Sequence, residues 1–303
     1  MFLITLRNNI SFFRFKINEE MKTVLSIITI NYNNLGGLMT TVSSVKNQTW
    51  QEFEYIVIDG GSIDGSKEYL ESQNKFLDQW LSEKDSGIYN AMNKGIKMAK
   101  GQYLLFLNSG DHLFNEKVLE RNHSKLTQQD LICFNLQMVR NGFSKIADSP
   151  SNLCFSHIYT TSLPHPATFI KKELFSTVGF YDENLRIVSD WKFFLLALFK
   201  FNCSYLKVNE TLATFYLDGI STFEDNSEER KLVMKEHFDR FIFDYEELIE
   251  NRKFVNTNRF KMLKEVEKTG FGKKLGSLFF RSYILLFSKK QLKDIITAKS
   301  KIS

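Results

Sequence analysis

The chain has 303 residues, 43% of them hydrophobic, enough to bury one large core and carry a helical appendage. Its net charge of +5 is uneven: from Lys273 onward eight basic side chains face Asp294 alone, a local +7, which leaves residues 1–272 at −2. The near-neutral body excludes a nucleic-acid-binding core, the basic tail asks for an anionic partner, and the three widely spaced cysteines exclude a disulfide frame or zinc site.

Cys133, Cys154 and Cys203 read as reduced core residues of a cytosolic protein. Residues 1–22 read as an N-terminal extension. Their Met-Phe-Leu-Ile-Thr-Leu-Arg start is too short for a signal core and has no small-residue cleavage site after it. Val24 to Ile30, a β-branched run, has the pattern of a strand buried on both faces. Leu38 to Lys46 reads as a helix with Leu38, Val42 and Val45 inward, and Phe53 to Ile58 as a second strand ending on Asp59. Ser66 to Gln73 is a short helix. Ile88 to Ala99 is an amphipathic one with Gly101 as its stop. Gln102 to Leu107 is a third strand and Leu131 to Leu136 a fourth. Helices are expected over Lys171–Val178, Asp190–Lys200 and Glu228–Glu250. No run of about 18 uncharged apolar residues is present to cross a membrane as a helix. Strands alternating with helices at this spacing predict an α/β fold, a mostly parallel sheet flanked by helices, with a C-terminal helical extension. The expected organisation is an extension over 1–22, a catalytic domain over 23–222 and a helical, basic and aromatic tail over 223–303.

Two acidic loops follow buried strands. Asp59-Gly60-Gly61-Ser62-Ile63-Asp64-Gly65-Ser66 packs two carboxylates and three glycines into a stretch where backbone can approach a ligand. The same residues also suit a tight turn with a helix cap. Asn108-Ser109-Gly110-Asp111 closes the third strand, and Asp111 there can ligate a hard divalent cation or serve an Asx-turn. Ligands of open α/β sheets bind at this carboxyl edge. Ser189-Asp190-Trp191 puts an acid at the start of an apolar helix, where the helix dipole favours it and it can serve as a cap.

In order and spacing, Thr-Val-Leu-Ser-Ile-Ile-Thr-Ile-Asn-Tyr-Asn, Ile-Val-Ile-Asp-Gly-Gly-Ser-Ile-Asp-Gly-Ser, Ser-Glu-Lys-Asp-Ser-Gly-Ile-Tyr-Asn-Ala-Met-Asn-Lys-Gly-Ile and Phe-Leu-Asn-Ser-Gly-Asp resemble family 2 glycosyltransferases of the GT-A fold. The likeness is greatest to bacterial enzymes of capsule, O-antigen or exopolysaccharide assembly and spans roughly residues 23–220. It implies a nucleotide-diphosphate sugar donor, with UDP the favoured nucleotide, a Mn²⁺ or Mg²⁺ ion, inversion at the anomeric carbon and a lipid-linked saccharide acceptor. The resemblance places Thr29, Asn31, Tyr32, Asp59, Gly60, Ser62 and Asp64 in the nucleotide pocket. Asp85, Gly87 and Lys94 fall in the segment that closes over the donor, with Asn108 and Ser109 beside it. Asp111 becomes the metal ligand, Asp190 the catalytic base, and His165 and Trp191 the acceptor side. The usual Asp-x-Asp stands here as Asn-Ser-Gly-Asp, with Gly110 where a second acid is common, so a single side-chain ligand is expected.

The tail over Lys273–Lys293 carries the apolar stretch Leu-Gly-Ser-Leu-Phe-Phe-Arg-Ser-Tyr-Ile-Leu-Leu-Phe-Ser between lysine pairs, the composition of a basic amphipathic helix that lies on an anionic membrane. The expected location is therefore cytoplasmic, peripheral on the inner face of the membrane. The same helices can serve a homodimer. Two other functions remain open at this point. One is a sugar-1-phosphate nucleotidyltransferase, opposed by the missing Gly-rich, Arg-containing loop after the first strand. The other is a nucleotide-sugar-binding scaffold of weak or no activity.

Overall fold

A computed structural model describes residues 23–217 and 224–287. The expected extension over 1–22, the expected boundary at 222–223, and Lys289, Lys290, Lys293, Asp294, Lys299 and Lys301 of the basic tail lie outside the described residues. The chain forms two compact units that divide between Arg230 and Lys231.

In chain order the first unit runs β1 (Leu25–Asn31), α1 (Leu35–Lys46), β2 (Phe53–Asp59), α2 (Ser66–Ser72), β3 (Gln79–Ser82), α3 (Ile88–Met98), β4 (Tyr103–Phe106) and β5 (His112–Leu113). It continues with α4 (Val118–Asn122), β6 (Leu131–Arg140), β7 (Phe143–Ala147), α5 (Phe155–Thr160), β8 (Thr168–Lys171), α6 (Leu174–Thr177), α7 (Ser189–Phe199) and β9 (Tyr205–Tyr216). The strands form one nine-stranded sheet in the order β3-β2-β1-β4-β8-β6-β9-β5, with β7 added on β6. β3, β2, β1 and β4 are mutually parallel, so their carboxyl ends share one edge. β8 is antiparallel to both β4 and β6, and β9 runs parallel to β6.

The apolar runs explain this order. All seven residues of β1 are buried, which requires cover on both faces of the sheet. Helix α3 supplies part of it by close approach: a Cβ on Gly95 would lie 2.5 Å from Ile28 Cγ2. Helix α1 starts a turn earlier than the apolar pattern because Asn34 caps it, accepting from Gly37 N at 3.1 Å. Helix α7 is apolar nearly all round and buries Trp191, Phe193, Phe194, Leu195 and Leu196. At about 1.5–3 kcal/mol for each such side chain, this burial anchors the helix that carries Asp190.

The expected helix over 171–178 is corrected. β8 runs to Lys171, because its Thr168-Phe169-Ile170 segment fills the gap between β4 and β6, and only Leu174–Thr177 is helical. The cysteine expectation is also corrected in part. Cys133 is buried in β6, Cys203 is half-buried, and Cys154 is exposed just before α5.

Helix α8 (Ser227–Val255) begins in the first unit and has a break in helical geometry at Phe238. The second unit continues with α9 (Asn258–Val266) and α10 (Gly270–Phe287). Phe271, Leu275, Leu278, Phe279 and Leu286 are exposed along α10, which also carries Lys273, Lys274 and Arg281. Among the described residues no helix is long and apolar enough to cross a membrane.

Candidate active site

The parallel register puts Asn31 beside Asp59 and Asp59 beside Ser82 at the carboxyl edge. The Asp59 carboxylate accepts from Asn31 Nδ2 at 2.8 Å, Ser62 N at 3.0 Å, Ser62 Oγ at 2.5 Å and Ser82 Oγ at 2.7 Å. Burial alone would raise its pKa, but these donors outweigh burial and hold it below the ordinary carboxylate value. Asp59 is thus an ionised, fully buried anchor for the loop that follows β2.

That loop is tied to the loop after β1. Asn33 N donates to Ser62 Oγ at 2.7 Å, Ile63 N to Asn33 Oδ1 at 3.0 Å, and Leu35 N to Asp64 Oδ2 at 2.8 Å. Asp64 also accepts from Ser66 Oγ at 2.6 Å, the bond that contributes most to lowering its pKa. Asn34 Nδ2 then reaches across to Ser109 O at 3.0 Å. Thr41 of α1 holds the Asn-Ser-Gly-Asp turn: its hydroxyl donates to Asp111 O at 2.6 Å and accepts from Gly110 N at 3.0 Å. Gly110 has φ +107°, where an L side chain is strained, so the turn itself selects glycine at the place of a second acid. Asp111 is buried in this turn.

On the other side of Asp59, Gly60 lies against the Asp85 segment, and a Cβ there would stand 2.6 Å from Asp85 Oδ2 and 3.2 Å from Tyr32 Cδ2. Asp85 accepts from Gly87 N at 3.0 Å, and α3 starts at the next residue. One residue further, the Tyr89 hydroxyl lies 3.0 Å from Asp190 Oδ1 and also bonds to Ile187 O. Burial, followed by the Asp190 charge, raises the Tyr89 pKa far above its ordinary value and keeps it a neutral donor. A contact path therefore joins Asp59 to Asp190 through Gly60, Asp85, Gly87 and Tyr89. Asn90 and Asn93 fasten the same helix to the loop before α7, each donating to Glu183 at 2.8 Å.

The sequence model of Glycosyl transferase family 2 matches residues 26–182, more than half of the chain. The chain belongs to this family. An uncharacterized glycosyltransferase of Mycobacterium tuberculosis is 32% identical over 209 residues, 67% of this chain and 79% of the relative. A PGL/p-HBAD biosynthesis glycosyltransferase of Mycobacterium bovis is 31% identical over 185 residues, 56% of this chain and 68% of that one. Among solved structures, Staphylococcus aureus TarS 1-349 in complex with UDP-GlcNAc aligns with a TM-score of 0.57 at 17% identity, covering 90% of this chain and 77% of TarS 1-349. The chain spans 43% of a longer TarS chain. The structural likeness establishes the GT-A fold, and the family makes the protein a glycosyltransferase.

Within this family 2 glycosyltransferase, most of the expected residues gather at the edge: Asn31, Tyr32, Asp59, Gly60, Ser62, Asp64, Asp85, Gly87, Asn108, Ser109 and Asp111. Four others have the following surroundings. Thr29 is fully buried with its hydroxyl 3.0 Å from Tyr55 OH. Lys94 is engaged with Glu83 at 2.7 Å. Trp191 is 2% exposed and donates to Ile158 O at 2.6 Å, a core contact. His165 is buried, stacked on Phe106 at 4.7 Å between centroids, with Nε2 2.8 Å from Tyr181 OH. Burial lowers its pKa, so it is neutral near pH 7. Sequence reasoning did not single out Ser82, Tyr89 or Thr41. Tyr89 lies inside the Gly-Ile-Tyr-Asn motif, which offered the one signal for it.

Asp111 and Asn108 test the fit of a divalent ion. Asn108 Oδ1 is buried and has no hydrogen-bond partner, an orphan oxygen three residues from the Asp111 carboxylate. Among the described residues no group of three or more His, Cys, Asp or Glu side chains could hold a metal. A hard-oxygen set this small fits Mg²⁺ or Mn²⁺ shared with a ligand's phosphate oxygens, not a closed protein cage.

Proposed function

We propose that the protein transfers one sugar, with inversion, from a nucleotide-diphosphate sugar to a hydroxyl of a lipid-linked glycan during cell-surface polysaccharide synthesis. The observation that supports this reading is the contact path that links the Asp59 anchor through Asp85 and Tyr89 to Asp190. UDP is the preferred nucleotide, in keeping with the fold neighbour that binds UDP-GlcNAc. The exposed Tyr32 ring stacks on the base, and the orphan Asn31 Oδ1, buried at the β1 end, accepts a hydrogen bond from the nucleoside.

Asp111 and Asn108 would hold the divalent ion, which when bound neutralises charge on the diphosphate. The protein's own groups perform the rest. The Asp85–Gly87 segment covers the donor, and the edge loops hold it for in-line attack. Asp190 takes the proton from the acceptor hydroxyl as its oxygen bonds to the anomeric carbon, and the bond from that carbon to the diphosphate breaks. Tyr89 orients Asp190 through its shared hydroxyl. The exposed apolar and basic faces of α10 hold the enzyme on an anionic membrane, where a lipid-linked acceptor resides.

A panel of UDP-, GDP- and dTDP-sugars with Mn²⁺ tests the donor class by release of nucleoside diphosphate. One donor is expected to turn over, and Asp111→Ala to lose it. No turnover and no binding of any donor would refute the reading. Flotation with phosphatidylserine vesicles, compared with phosphatidylcholine vesicles, tests the tail; equal flotation on both would refute charge-assisted docking.

A further inference from the structure

Asp190 stands in the first turn of α7, which Ser189 Oγ and Lys192 Nζ tie to Asp182, but the segment supplies no side-chain cap for its backbone N–H groups. The residue at the helix cap is Val188, whose side chain offers no acceptor. The acceptor comes from 41 to 43 residues downstream, at the start of α8. Glu229 Oε1 takes the Arg186 N–H at 2.6 Å, while Oε2 takes those of Ile187 and Val188 at 3.0 and 3.2 Å. Three successive backbone N–H groups thus converge on one carboxylate, a concave anion seat filled by the chain itself.

The next residue grips the other side of the same turn. The Arg230 guanidinium lies 4.5 Å over the Trp191 ring, and its Nη1 donates to Tyr159 O at 3.1 Å. Arg186 is held as well, its Nη2 2.6 Å from Glu224 Oε1. Tyr89 closes the arrangement from α3.

We infer that Glu229 is a positioning residue for Asp190, with Arg230 seating it. Glu229 acts through the backbone of 186–188, not on substrate. The inference rests on the reading of Asp190 as the base. A base displaced by about 1 Å can cost roughly 100-fold in rate without altering donor binding. Losing the carboxylate frees three N–H groups immediately before Asp190, whereas the nucleotide edge at Asn31, Asp59 and Ser62 shares no hydrogen bond with Glu229.

The test uses the full chain with Glu229→Ala, Glu229→Gln and Asp190→Asn. The readouts are kcat and donor KM for the donor found to turn over, calorimetric affinity for UDP, and melting temperature. Glu229→Ala is expected to lower kcat about 10- to 100-fold with donor KM and UDP affinity within about twofold. Glu229→Gln keeps an acceptor oxygen and is expected to recover part of the rate; if the Ala variant fails to fold, a lowered kcat at unchanged KM in the Gln variant carries the test. Wild-type kcat in the folded variants beside an inactive Asp190→Asn overturns the inference alone. A kcat loss matched by an equal loss of UDP affinity also overturns it, since that marks general loosening. Undiminished turnover by Asp190→Asn overturns the base reading itself, and the inference with it.

Discussion

Removing the Asp59 carboxylate perturbs the most connected polar group of the site. Four hydrogen bonds end on it, two from hydroxyls that can rotate, one from the backbone Ser62 N and one from the side-chain amide of Asn31. In Asp59→Ala the hydroxyls of Ser62 and Ser82 find other partners, but Ser62 N and one N–H of Asn31 Nδ2, whose other N–H keeps Ser62 Oγ at 3.3 Å, do not. At about 1–3 kcal/mol for each unsatisfied donor, the variant should lose about 2–6 kcal/mol. Asp59→Asn should lose less, about 1–2 kcal/mol, because Asn31 can turn its amide and present Oδ1, which now lacks a partner, to the new NH₂ group. Denaturant unfolding at pH 7 measures both. The pH dependence adds a second check. The native pKa of Asp59 lies below its unfolded value of about 3.9. Its charge therefore stabilises the fold above that value, and the gain is lost as pH falls through the native pKa. The gap between wild type and Asp59→Asn should be full at pH 7 and close below about pH 4. A loss under about 1 kcal/mol in Asp59→Ala, or a gap that grows toward low pH, would refute the anchor role.

Three further outcomes are expected. Tyr89→Phe keeps the ring packed near Tyr181 but loses the hydroxyl shared by Asp190 and Ile187; kcat should drop about tenfold, roughly 1.4 kcal/mol, with donor KM unchanged, and an unchanged kcat would remove Tyr89 from the mechanism. His165 resists protonation in its buried niche while the unfolded chain takes up a proton near pH 6.5, so stability should decline as pH falls below about 6.5. Melting curves of His165→Gln between pH 7.5 and 5 should show a shallower decline, and parallel slopes would contradict the burial argument. Gly60→Ala forces its Cβ against the Asp85 carboxylate tip, the movable end of a side chain; melting should shift by no more than about 2 °C while UDP affinity drops about fivefold, roughly 1 kcal/mol, and intact affinity would show that Asp85 does not cover the nucleotide.

The parts of the fold that could be read from the sequence are those whose burial is written in consecutive residues. Leu25–Asn31 and Phe53–Asp59 are apolar runs buried on both faces, and α3 and α7 carry their faces in order. The missed strands lack that signal. β3 is four half-buried residues with no β-branched side chain, and β5 is two residues held by pairing with β9. β7 is exposed along nearly its whole length and depends on β6. β9 carries Lys207, Asn209 and Glu210 among its apolar residues, although its Thr-Leu-Ala-Thr-Phe-Tyr end was a usable cue. Asp59 and Asp111 could be assigned to one edge from the sequence because they follow the apolar runs of β2 and β4. The burial of Thr29 and Trp191 was not legible, because a motif position does not reveal which face of a strand or helix a side chain takes. Glu229 was hidden for the opposite reason: it sits in a charged helix start, and its partners lie more than forty residues away in sequence.

The most direct test of the central claim compares wild type and Asp190→Asn on the donor selected by the panel, with UDP affinity measured in parallel. The account predicts wild-type affinity for UDP and a kcat lower by about 100-fold or more, the loss expected when a general base is removed. Transfer by Asp190→Asn at the wild-type rate would contradict it, and would move the chemistry to a group other than the carboxylate that Tyr89 and the start of α7 present.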